Sequence, residues 1–129
     1  MSNEPQYGTV GWLDLTVDDA TGTRDFYADV VGWKAEPAPV GDYEDFVMSD
    51  EAGNPTAGIC HARGNNTGLP PQWLSYVRVR SLEASMAAAK RHGGDVIHGP
   101  RDMGSYGTLC VVRDPEGAHL ALMEPPREG

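Results

Sequence analysis

From Gly8 to Val17 the chain reads GTVGWLDLTV, where Leu13, Leu15 and Val17 alternate with Trp12, Asp14 and Thr16. A period of two predicts a strand with unlike faces. Asp18 and Asp19 stand where a helix cap is needed. Phe26 and Val30, and Tyr27 and Val31, recur at i,i+4, so a helix is predicted to about Val31 with Gly32 just past its end. Short strands follow near Trp33 to Ala38, Tyr43 to Ser49 and Thr56 to His61, and the turn Glu51-Ala52-Gly53-Asn54 separates the last two. Arg63 to Gln72, RGNNTGLPPQ, has no periodicity and the composition of a linker.

The same order then returns. WLSYVRV, Trp73 to Val79, alternates as a strand. Ser81 opens a helix carrying Leu82, Met86 and Ala89 that ends at His92-Gly93-Gly94. DVIH (Asp95 to His98) predicts a strand, GPRDMGSYG (Gly99 to Gly107) a loop, and TLCVV another strand. Asp114-Pro115-Glu116-Gly117 is a turn before the last strand, Ala118 to Glu124, and PPREG reads as a frayed tail. Val17 and Val79 both end a first strand, 62 residues apart; Gly32 and Gly94, also 62 apart, both follow a helix; Gly53 and Gly117, 64 apart, both close a late hairpin. This near-constant register predicts an α+β fold of two tandem βαβββ modules in one domain, residues 1–129. Module one spans about 8–62, the linker about 63–72 and module two about 73–125.

Composition narrows the partners. The chain has 129 residues, of which 40% are hydrophobic and 22% charged, as in globular proteins. Nineteen acidic against ten basic residues give a formal charge of −9. That disfavours nucleic acid and anionic membrane, and it suits solubility or a cationic small molecule. The only cysteines, Cys60 and Cys110, lie in the apolar runs ICHA and TLCVV and are expected as reduced, buried thiols. No apolar stretch is long enough to span a bilayer. The polar start MSNEPQYG lacks the regions of a signal peptide, so a cytoplasmic location is expected.

Three stretches carry a family likeness: DFYADVVGW (Asp25 to Trp33), WLSYVRVRSLEASMAAAKRHGGDVIHGP (Trp73 to Pro100) and RDPEGAHLALMEP (Arg113 to Pro125). In their order and spacing they resemble the vicinal oxygen chelate superfamily, which includes glyoxalase I, extradiol dioxygenases, fosfomycin-modifying enzymes and bleomycin-resistance proteins. The resemblance covers nearly the whole chain. It implies a curved, cup-like mixed sheet with helices outside, and commonly a homodimer. Metal enzymes of that group place His or Gln on the first strand of each module, and Glu on the fourth strand of one or both. Carried over by register, those positions are Trp12 and Leu74 on the first strands and Ala57 and Ala121 on the fourth. None donates to a metal, so no metal and no cofactor are expected.

By alternation the cup lining would comprise Trp12, Asp14, Thr16, Ala57 and Ile59 from module one, and Leu74, Tyr76, Arg78, His119, Ala121 and Met123 from module two. Leu13, Leu15, Val77, Val79, Leu120 and Leu122 would then lie under the helices. Trp12 is a stacking platform or filler. Asp14 binds a cation, accepts a proton or pairs with Arg78; Tyr76 donates to a ligand or to backbone. Tyr106 would sit at the tip of Asp102 to Gly107, which is either a lid or a plain connection. His61, His92 and His98 fall near element ends and make no metal set. The leading expectation is a metal-independent protein that binds or sequesters a cationic or aromatic small molecule, as bleomycin-resistance proteins do. The alternatives are a lyase, isomerase or dioxygenase with relocated ligands, a metal-free acid–base catalyst using Asp14, Tyr76 or His119, or an interaction module with a filled cup.

Overall fold

A computed structural model describes residues 6–126. The expected polar start Met1 to Pro5, and the last three residues of the expected tail, lie outside them. The strands are β1 Val10–Val17, β2 Lys34–Val40, β3 Tyr43–Ser49, β4 Pro55–His61, β5 Leu74–Arg78, β6 Asp95–Asp102, β7 Thr108–Arg113 and β8 His119–Glu124, with helices α1 Ala20–Val31 and α2 Leu82–Arg91. Each half is thus βαβββ, as the repeated register predicts.

In module one the strand order is β2-β3-β4-β1. β2, β3 and β4 pair antiparallel and β4 runs parallel to β1. Asp19 caps α1, its Oδ1 accepting from the Gly22 amide at 3.0 Å, and Gly32 ends the helix at φ +84° with its N–H donating to Ala28 O. Ala20, Phe46, Met48 and Ile59 form the core between helix and sheet, joined by Val17, Tyr27, Ala28, Trp33, Ala35 and Trp73. α1 leaves Phe26, Val30 and Val31 exposed, at 57%, 63% and 50%, so its apolar stripe only partly faces its own sheet.

Module two has the matching order β6-β7-β8-β5, with β5 and β8 parallel. Ser81 caps α2, its Oγ accepting from the Ala84 amide at 3.1 Å. Leu82, Cys110 and Leu122 form the core under the helix, flanked by Val77, Val79, Met86, Val96 and Val112. The left-handed glycine beyond α2 is Gly93, at φ +88°. Gly94 answers a different need: a Cβ there would stand 2.6 Å from the Arg113 carbonyl oxygen. β6 runs on to Asp102, past the expected end at His98, because residues 101 and 102 resume pairing with β7 beyond an irregularity. The expected long loop shrinks to a single 3-10 turn, Gly104–Tyr106.

The compact units are Trp12–Trp73 and, with the stretch up to Gly11, Leu74 onward. The opening of β1 groups with module two because the Gly8 amide donates to Arg78 O at 2.7 Å and the Arg78 amide to Thr9 O at 3.0 Å. The linker Arg63 to Gln72 groups with module one.

Candidate functional site

Cross-strand partners point to the same side of a sheet, so the registers decide which residues share a face. In module one Asp14 is opposite Gly58, Leu15 opposite Ile59 and Thr16 opposite Cys60. Trp12, Asp14 and Thr16 therefore share the face away from α1, as expected, but with Gly58 and Cys60. Ala57 and Ile59 lie on the helix-facing side, fully buried, with Ile59 in the core. This corrects their place in the expected lining. The cause is one extra residue within β4, Thr56, taken up between Pro55 and Ala57. Register shifts between Met48 and Ser49, so that Ser49 pairs with Pro55. Gly58, not Ala57, is then the structural equivalent of Ala121. A slip of one residue turns a strand over.

In module two Tyr76 is opposite Ala121, Val77 opposite Leu122 and Arg78 opposite Met123. Leu74, Tyr76, Arg78, His119, Ala121 and Met123 therefore share the face away from α2, while Val77 and Leu122 lie under the helix. Val111 and Leu109 join that face through Ala121 and Met123. Its floor is closed to solvent, with Tyr76 at 7%, Leu109 at 5%, and Val111 and Ala121 at 0% exposure. Tyr106 stands apart from it, 71% exposed on a turn fixed by the Asp102 carboxylate accepting from the Gly104 amide at 2.8 Å.

The polar groups of the module-one face converge on Asp14. Trp12 Nε1 donates to its Oδ1 at 3.3 Å, and the Cys60 thiol approaches Oδ2 at 3.5 Å. A Cβ added to Gly58 would overlap Asp14 Oδ1 and lie 3.4 Å from Trp12 Nε1, so the carboxylate occupies the space that a fourth-strand side chain would need. Asp45 is nearly buried and accepts from the His61 amide at 2.9 Å. Arg78, in module two, donates to Thr9 Oγ1 at 3.0 Å and packs its guanidinium against Gly11.

Burial, reinforced by the carboxylates of Asp14 and Asp45, pushes the Cys60 thiol far above its ordinary value. Burial alone pushes Cys110 up to about 11. Both are free cysteines. Since the thiolate is the reactive form, neither should react with an aromatic disulfide reagent at pH 8 in the native protein, and both should react in denaturant. Rapid native modification of Cys60 would contradict this account of its surroundings.

On its helix-facing side, module one has an open groove of about 490 Å³ between α1, β1 and the segment Pro71 to Trp73. Sequence reasoning missed it. Its aromatic wall is held by Trp73 Nε1 donating to Tyr27 Oη at 3.1 Å, with the two rings edge-to-face at 5.1 Å. The one available signal was the Trp at the end of the linker, which reads locally as a strand residue.

A family model described as the Glyoxalase/Bleomycin resistance protein/Dioxygenase superfamily matches residues 9–122. The chain belongs to this superfamily. The provisionally assigned glyoxylase CFP32 of Mycobacterium bovis is 30% identical over 127 residues, covering 97% of this chain and 49% of that protein. The anthracycline biosynthesis protein DauV of a Streptomyces species is 27% identical, over 89% of this chain and 46% of that protein. The chain thus spans about half the length of the curated relatives it matches. Methylmalonyl-CoA epimerase from Mycobacterium tuberculosis shares the fold, with TM-score 0.57 at 15% identity over 98% of this chain and 94% of the other.

The observed strand register fixes the residues at the superfamily's metal positions. These are Trp12 and Gly58 in module one, and Leu74 and Ala121 in module two. An indole, a hydrogen atom and two aliphatic side chains supply no donor at about 2 Å. Among the described residues no three His, Cys, Asp or Glu side chains gather in a metal-holding group. These residues do not fit a metal of the superfamily's kind. Module one presents an indole beside a carboxylate, and module two an apolar floor edged by Tyr76, Arg78 and His119.

Proposed function

We propose that this superfamily member binds a small organic molecule, aromatic and neutral or cationic, on the sheet faces turned away from its helices, without a metal. The observation that carries the reading is the replacement of the converging donor positions by Trp12, Gly58, Leu74 and Ala121. Gly58 is filled over by Asp14, so a ligand meets a carboxylate and an indole where a metal enzyme would present donors. An indole face with a neighbouring carboxylate suits an aromatic ring or a cation. The formal charge of −9 favours the approach of a cation. Two relatives are named for anthracycline biosynthesis, and anthracyclines are fused-ring aromatics. The protein acts as a homodimer in this reading, which would cover the exposed Phe26, Val30 and Val31 of α1. Its place of action is the cytoplasm, with neither nucleic acid nor membrane as partner; among the described residues no helix is long and apolar enough to cross a membrane.

Native mass spectrometry of untagged protein purified without chelators tests oligomer, metal and retained ligand together. The expected result is a dimer with less than one divalent metal in ten chains, which takes up a hydroxylated anthraquinone such as 1,4-dihydroxyanthraquinone. One zinc, iron, nickel or manganese per chain, lost in Asp14→Ala, would overturn the metal-free reading. It would favour the enzyme that the glyoxylase naming of one relative suggests.

A further inference from the structure

His98 is turned onto the ligand face of module two by a break in strand register. Val96 pairs with Val112, and both pack on the core under α2. Regular antiparallel pairing would then set His98 opposite Cys110, in that same core. Instead His98 pairs with Val111, because one extra residue, Ile97, is taken up between them. That residue inverts the strand and moves the imidazole to the opposite face. A second shift over Gly99 and Pro100 puts Arg101 opposite Leu109, on the same face.

The result is a row across four strands: His98, Val111, Ala121 and Tyr76. Its ends are about 14 Å apart, three interstrand spacings. The two middle side chains are small and fully buried. His98 Nε2 is buried and, among the described residues, has no hydrogen-bond partner. A buried polar atom left unpaired costs stability, and such atoms are few in native proteins. Burial, then the neighbouring Arg101 charge, draws the His98 pKa below the ordinary histidine value, which favours the neutral ring.

We propose that His98 Nε2 is the hydrogen-bonding group that this face keeps for a neutral hydroxyl or carbonyl oxygen of the bound aromatic molecule. The inference rests on the binding reading above and assigns it a specificity residue. A neutral imidazole pairs with a phenol or quinone oxygen, and the ligand has to open the row beside it, because Val111 and Ala121 are fully buried before binding. Uptake has to expose the Nε2 edge, since that atom is shielded before binding.

The test is calorimetric titration with 1,4-dihydroxyanthraquinone, alongside thermal melting of the free proteins, for wild type, His98→Leu and His98→Gln. In His98→Leu the free protein should melt higher, because an orphaned polar atom is gone, while affinity falls at least tenfold. In His98→Gln, whose amide can reach the same point, affinity should recover most of that loss. If wild type binds and His98→Leu binds as tightly, the inference falls and the binding reading stands. If His98→Leu melts lower and His98→Gln does not restore affinity, the imidazole serves packing and the inference falls. If wild type takes up none of the anthraquinone, both fall.

Discussion

Gly107→Ala should lower the melting temperature by roughly 10 °C or more, whereas Gly117→Ala should lower it by only a few degrees. Both glycines have positive φ, +100° and +91°. What sets Gly107 apart is its ψ and its crowding. Gly107 combines its φ with ψ −154°, a region that is essentially glycine-only and costs other residues about 1–3 kcal/mol. A Cβ there would also overlap the Glu124 carbonyl oxygen and press on Pro125 Cα at 3.1 Å, and backbone cannot step aside as a side chain can. Around Gly117 nothing lies within 4 Å, so only the left-handed penalty of about 1–2 kcal/mol applies. Together the strain and overlap at Gly107 should exceed about 3 kcal/mol, and each kcal/mol moves the midpoint of a domain this size by roughly 3–5 °C. Thermal unfolding of the two variants followed by circular dichroism measures the contrast. Equal shifts would mean that the β7–β8 junction gives way at Gly107 and that the close approach is not needed.

The strands and helices were legible because their residues obey one period at a time. Leu13, Leu15 and Val17 alternate without interruption, and the first strands of both modules face as the pattern says. The repeat itself showed in Val17 and Val79: Val17 ends β1, Val79 directly follows β5, and each packs on the core under its own helix. What the sequence concealed were insertions of a single residue. Ala57 and Ile59 look equivalent to Ala121 and Met123 when counted from the hairpin glycines, yet the shift at Met48 and Ser49 turns them under α1. His98 looks like a strand-end histidine in step with Val96, yet the irregularity at Ile97 sends it the other way. Side-chain alternation has no memory of a bulge, because the inserted residue need not differ in chemistry from its neighbours. The groove beside Trp73 was hidden for another reason. It joins α1 to a segment more than 40 residues later, and no local pattern records that meeting. The carried-over metal positions hold no donor side chain in either register. Correcting Ala57 to Gly58 exchanges one residue without a donor for another.

Trp12→Ala should weaken binding of 1,4-dihydroxyanthraquinone by thirtyfold or more, the loss typical of an aromatic anchor worth about 2 kcal/mol. Trp12 is half-buried, on the sheet face away from α1, and takes no part in the Phe46–Met48–Ile59 core. Its removal should therefore leave folding largely intact while taking away the indole face. The indole has a second role that must be separated from stacking. Its Nε1 donates to Asp14 at 3.3 Å, near the long limit for such a bond, so its share in orienting the carboxylate should be small beside the stacking area. Trp12→Phe keeps an aromatic face and removes the donor. Its affinity should stay within about threefold of wild type if stacking carries the contact. Calorimetric titration of both variants decides between the roles. A loss in Trp12→Phe as large as that in Trp12→Ala would assign the contribution to the N–H that holds Asp14, and the ligand would then be recognised through its charge rather than its ring. Unchanged affinity in both would move binding off this face of module one.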